Sequence, residues 1–225
     1  MDSGRDVPAA PFFDMPRETA LRPPAGAHLM KVTPAFRERV WGREDIGFLY
    51  PNRPAAPLRV GEVWLTAEES AILDGPWKGA LLGEAWRELG TRPDAPGAPA
   101  PSGRFPLLAK FLFTSDKLSV QVHPPDDFAA RNEGGPGKTE MWHVVAAERG
   151  SRVAIGLGGV KGARAGEDLK AMAESGRIEA GLEWNDASEG DSFYVPAGTV
   201  HAIGAGLTVC EIQQYSDITY RLYDY

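Results

Sequence analysis

The sequence predicts an all-β protein, an antiparallel sandwich or barrel with a few short helices. Three observations predict it. Short runs rich in Val, Ile, Leu, Phe and Tyr recur at 107–113, 118–123, 141–145, 192–195, 207–212 and 219–223, the composition of strands. Turn formers separate them, with 26 Gly and 19 Pro in 225 residues. Helical spacing of apolar residues is confined to brief segments, and no internal repeat is present.

In chain order, residues 1–28 hold Pro8, Pro11, Pro16, Pro23 and Pro24 without apolar periodicity. They are expected to form an irregular arm, and the folded domain is expected over 29–225. A first strand region is expected from 29–32 through 40–42, and a short strand at 61–66. Leu81, Leu82, Ala85 and Leu89 predict a helix over 77–89. The Pro-, Ala- and Gly-rich stretch 92–104 is a loop. Strands are then expected at 107–113, 118–123, 141–145 and 152–155, a short helix at 168–175, and strands at 192–195, 207–212 and 219–223.

The net charge of -7 argues against a nucleic-acid or anionic-membrane partner, since both select a basic surface. A small phosphorylated ligand is compatible with it, because a few local Lys and Arg suffice. The single cysteine, Cys210, permits neither an intrachain disulfide nor a thiolate cage. Any metal must therefore be held by His, carboxylate or amide groups. The start of the chain has no apolar signal-peptide core, and no run of about 18 apolar residues follows. The cytoplasm is the expected location.

Gln121 and His123 are two residues apart on an expected strand, so they project from one face with Ser119, while Val120 and Val122 face the other way. An amide and an imidazole side by side lose hydration unless something binds both. A metal ion does so; a solvated surface face is the alternative. Further on, Pro196 and Gly198 form a tight turn that returns His201 on the next strand. A core or loop histidine is the alternative there. The pattern from Gly190 through Pro196, Gly198 and His201 is similar to the second motif of the cupin superfamily, with Ala205 where that motif usually ends in Asn. Gln121, His123, Glu140 and Gly150 follow the order of the first cupin motif, with a long insert before Glu140. The resemblance implies a jelly-roll β-sandwich. It also implies four ligands, Gln121, His123, Glu140 and His201, carrying one negative charge and leaving an open coordination position.

A more specific resemblance rests on an ordered set of segments. These are Leu118 to Pro124 with Asp126-Asp127, Gly137-Lys138-Thr139-Glu140, Pro196 to Ala202, and Glu211 to Asp217; Trp41-Gly42 and Gly61 to Trp64 match upstream. Together they resemble type I phosphomannose isomerase in its shorter bacterial form, over roughly 29–225. The resemblance implies one zinc per chain and interconversion of mannose 6-phosphate and fructose 6-phosphate through a cis-enediol. It places Lys138, Arg221 and Asp217 in catalytic positions, and Lys110 and Ser119 in substrate-binding positions. Lys138 is expected as base or proton relay, with Asp217 as its rival; Arg221 is expected on the phosphate or the developing oxyanion. Lys110 faces either the substrate or the solvent. Longer members of the family carry a His where this chain has Gly137, and they continue beyond the equivalent of Arg221 with further strands, which are expected to be missing here. A non-catalytic cupin that binds sugar phosphate is the alternative reading, and an iron-dependent oxygenase a more distant one. His143 is three residues after Glu140, so it falls on the opposite face and is not expected to be a ligand. An oligomeric state is not legible in the sequence.

Overall fold

The computed structural model describes residues 30–56, 58–90, 103–158 and 165–225. The expected arm at 1–28 and nearly all of the expected loop at 92–104 lie outside these residues. The elements are β1 (Ala35–Arg43), β2 (Val60–Trp64), α1 (Leu82–Gly90), β3 (Leu107–Phe113), β4 (Val120–Val122), α2 (Asp126–Asn132), β5 (Glu140–Ala147), β6 (Arg152–Leu157), α3 (Ala165–Glu174), β7 (Leu182–Asp186), β8 (Ser192–Val195), β9 (His201–Ile203), β10 (Leu207–Gln214) and β11 (Tyr220–Tyr223). Among the described residues the strands form two antiparallel sheets, ordered β1-β2-β3-β10-β5-β8 and β11-β4-β9-β6-β7. The expected all-β sandwich is the observed architecture. None of the described helices is long and apolar enough to cross a membrane.

Strand alternation decides what each sheet turns inward. Along β5, Glu140, Trp142 and Val144 are buried, whereas Met141 and His143 are exposed. Trp142 and Val144 join Leu112, Val153, Ile203 and Val209 in a core between the sheets. Val120, Ala154 and Ala202 form a second cluster, covered by Leu169 and Met172 of α3. A third, with Ile46, Val60, Val63 and Phe113, lies beside β1 and β2. Each fully buried aliphatic or aromatic side chain in these clusters contributes roughly 1.5–3 kcal/mol relative to exposure.

Three differences from expectation have local causes. The helix expected from Trp77 begins instead at Leu82, after a 3-10 turn at Gly75–Trp77. Ahead of it, the Ile72 N–H donates to Ala80 O and the Leu82 N–H to Ser70 O. Those backbone groups are engaged across a turn and cannot join a helical ladder. Helix α2 was not expected. It has an acidic first turn, Asp126 and Asp127, after Pro125 and a basic Arg131 in its last turn, but it buries little apart from Ala129 and so shows no apolar stripe. Strand β7 was not expected either; it pairs only with β6 at the sheet edge and leaves Glu183, Asn185 and Asp186 exposed.

Candidate metal centre

Three strands deliver the cluster. His123 follows β4 directly, Glu140 opens β5 and His201 opens β9. Their ligand atoms all lie within 4.8 Å of one another. Each of these side chains is 1% exposed. The turn before His201 takes the expected form, with Gly198 at φ +87, a conformation that L side chains rarely adopt. The Gly198 N–H donates to His123 O at 2.7 Å, so the same turn ties the two histidine-bearing segments together.

Backbone carbonyls orient both rings. His201 Nδ1 is 2.8 Å from Thr199 O, and His123 Nδ1 is 3.0 Å from Ile218 O. A carbonyl only accepts, so each Nδ1 carries the hydrogen and each Nε2 turns into the cluster. Burial lowers the His201 pKa to about 4, against a partial lift from Glu140; its Nε2 therefore presents a lone pair at neutral pH. That atom is buried with no hydrogen-bond partner among the described residues. His123 Nε2 stands 3.1 Å from Glu140 Oε1. With Nδ1 already donating, that contact is attractive only through a second proton or a cation shared by both atoms. The Lys138 ammonium is 3.1 Å from Glu140 Oε1 and 3.3 Å from His123 Nε2, so the donor set accommodates positive charge. Burial would raise the Glu140 pKa, but the His123 contact and the Lys138 charge outweigh it and hold the carboxyl well below the usual range. Two imidazole nitrogens and an ionised carboxylate are a donor set for a divalent transition metal.

The cluster continues across the larger sheet. Trp142 Nε1 is 3.1 Å from Glu140 Oε2 and 3.1 Å from Glu211 Oε2, so one indole N–H is shared by two buried carboxylates. Burial and the charge of Glu140 push Glu211 upward, against the pull of Lys110. Lys110 Nζ is 2.9 Å from Glu211 Oε1. Burial alone would lower the Lys110 pKa, but Glu211 and Glu62 raise it above its ordinary value. Glu62 in turn accepts from Trp64 Nε1 at 2.6 Å and Arg39 at 3.2 Å. Lys110 thus faces inward, buried, which decides between its two expected orientations.

Gln121 is half-buried and pairs with His201 on one side and Arg221 on the other. Cross-strand partners leave a sheet on the same face, so the three side chains form one row. Ser119 is half-buried just ahead of β4. Arg221 and Asp217 are exposed, the first in β11 and the second in the connection from β10. The structure thus brings His123, Glu140, His201 and Lys138 into direct contact and links Lys110 to them through Glu211 and Trp142. It leaves Asp217 and Arg221 at the surface. His143 lies on the opposite face, with Nδ1 2.9 Å from Ser192 Oγ. A surface pocket of about 310 Å³ lined by Lys117, Arg152, Glu179 and Trp184 shares no residue with the cluster.

Sequence reasoning missed Glu62, Glu211 and Trp142 as members of the site. The signal for Glu211 was present: Val209, Glu211 and Gln213 alternate with Cys210 and Ile212, the same period that singled out Gln121 and His123. All three are buried on the inner face.

No protein-family profile matches the chain. Mannose-6-phosphate isomerase ManA of Bacillus subtilis is 39% identical over 203 residues, 85% of this chain and 59% of that protein. The probable mannose-6-phosphate isomerase GmuF of the same organism is 38% identical over 208 residues, 88% of this chain and 62% of its own length. The solved structure of mannose 6-phosphate isomerase from Bacillus subtilis aligns with a TM-score of 0.76 at 34% identity, over 87% of this chain and 61% of that one. A putative mannosephosphate isomerase from Archaeoglobus fulgidus shares the fold with a TM-score of 0.65 at 22% identity, over 87% of this chain and 62% of that one. The chain spans less than two thirds of the length of these relatives. Sequence identity over most of the chain, together with one shared fold, makes it a homologue of the mannose-6-phosphate isomerases.

Proposed function

We propose that this chain carries the metal site of a phosphomannose isomerase and interconverts mannose 6-phosphate and fructose 6-phosphate. The observation that carries the reading is the convergence of two oriented imidazoles and one carboxylate, with a buried lysine against them. In this reading His123, Glu140 and His201 would hold one zinc ion, with Gln121 as a fourth ligand from the His201 row. A zinc ion held there would supply Lewis-acid stabilisation of the charge that develops on the sugar oxygens.

The residues then divide the work. The isomerisation removes a proton from one of the two carbons next to the carbonyl and returns it to the other through a cis-enediol. Lys138 Nζ takes or relays that proton. Asp217, which the fold leaves exposed, is the rival for that role or a mover of hydroxyl protons. Arg221, in the same row as Gln121, binds the phosphate or the developing oxyanion with its fork of N–H donors. Lys110, held in place by Glu211, and Ser119 line the sugar. The mannose-6-phosphate isomerases among its relatives support the substrate assignment.

The test is metal analysis of the purified chain beside a coupled assay on mannose 6-phosphate. His201→Ala is expected to lose both metal and turnover. Lys138→Ala is expected to keep its metal and lose about 10²–10⁴-fold in rate. A metal-loaded chain that binds sugar phosphate without turning it over would instead be a binding protein. Normal turnover in Lys138→Ala would remove that residue from the chemistry.

A further inference from the structure

Lysine side chains are flexible, so the placement of Lys138 depends on its backbone. That backbone is held by two side chains outside the metal cluster. The Gly137 N–H donates to Asp126 Oδ1 at 2.8 Å, and the Thr139 N–H donates to Gln214 Oε1 at 2.8 Å. The two holders are joined, since Gln214 Nε2 donates to the same Asp126 Oδ1 at 2.9 Å. The Gln214 main chain also grips the segment, its N–H donating to Thr139 O at 3.1 Å. Between them, the Lys138 N–H donates to Pro124 O at 3.2 Å. The amide of Gln214 has one orientation available: its oxygen takes an N–H and its nitrogen faces a carboxylate. Reversing it would oppose donor to donor and acceptor to acceptor.

We propose that Asp126 and Gln214 are positioning residues for Lys138. The pair acts as a two-armed clamp on the peptide groups flanking the lysine, fixing where its ammonium meets Glu140 and His123. The inference rests on the reading of Lys138 as the proton-transfer group. It adds a requirement for that role: the first turn of α2 and the end of β10 must stay joined. Loss of the clamp leaves Lys138 attached to the site but free to sample other directions, which lowers the fraction of time spent in reach of the substrate carbon.

Four variants test it: Asp126→Ala, Gln214→Ala, the double alanine variant and Asp126→Asn. Each alanine variant is expected to lower kcat about five- to tenfold, the scale of one net hydrogen bond expressed in a rate. KM and metal content stay at the parent values. The double alanine variant is expected to lose less than the product of the two single losses, because both changes break the same Asp126–Gln214 link. Asp126→Asn recovers most of the rate, since its amide oxygen still accepts from Gly137. A purely structural loss would lower thermal stability without this split between kcat and KM and without rescue. Amide exchange at residues 137 and 139 gives a readout independent of turnover, and it is expected to accelerate in both alanine variants. Unchanged kcat in the alanine variants, or unchanged exchange at both amides, would overturn the clamp. Full activity in Lys138→Ala, or no isomerase activity in the parent, would instead overturn the functional reading. Exchange at the two amides would still judge whether the clamp exists.

Discussion

A Cβ added at Gly137 would stand 2.6 Å from Asp126 N and 2.8 Å from Pro124 O, both backbone atoms that cannot swing aside. Position 137 therefore has no room for a side chain in this chain. Gly137→Ala is expected to cost about 1–3 kcal/mol in denaturant unfolding and to displace Lys138; a cost near zero would mean that the segment yields freely. His201 makes a second residue-scale prediction. Its folded pKa is lowered to about 4 from 6.5. Between those values the unfolded chain takes up a proton that the folded chain refuses, so stability falls as pH drops through that window and is full above it. In chelator-treated protein the loss is at most about 1.4 kcal/mol per pH unit, read as urea midpoints at several pH values. A flat profile would contradict the buried neutral ring. At this scale the sequence was informative where alternation applied. Spacing put His143 on the face opposite Glu140, and the structure has it exposed there, beside Ser192. Lys110 could not be oriented, because its partners Glu211 and Glu62 come from strands brought alongside only by the sheet.

Elements meet through a few buried polar groups. Thr114, just past β3, donates from Oγ1 to Gly204 O at 2.8 Å and accepts from the Leu207 N–H at 2.9 Å. Gly204 follows β9 in one sheet and Leu207 opens β10 in the other, so this hydroxyl fastens the crossing between sheets. Thr114→Val keeps the shape but leaves a carbonyl and an N–H unpaired, at an expected cost of about 1–3 kcal/mol in thermal or denaturant unfolding. An unchanged midpoint would show that the crossing is held elsewhere. Most strands were legible from composition, and 107–113 and 192–195 have the expected limits. What escaped was short or polar. Helix α2 lacks an apolar stripe, β7 is an edge strand with one buried residue, and the late start of α1 follows from hydrogen bonds between residues 70–72 and 80–82.

For the molecule as a whole, the candidate ligands bridge the two sheets: Glu140 belongs to the larger, His201 to the smaller, and His123 directly follows β4 of the smaller. A metal held there braces the sandwich. Chelation is expected to remove a stabilisation of RT ln(1 + [M]/Kd), about 2.7 kcal/mol at a hundredfold excess over Kd, and so to lower the melting temperature. Calorimetry with and without chelator checks this; identical traces would mean that no metal binds the folded state. The order of strands was not legible, because pairing between distant segments leaves no local pattern. The central position of β10, between β3 and β5, has a consequence for how the chain is made. Its two neighbours leave the ribosome well before it, and until residues 207–214 arrive they wait with apolar flanks bare and Lys110 lacking its carboxylate. Such a newborn chain exposes apolar surface while it waits, and refolding in the test tube is expected to be slow, governed by that one late insertion.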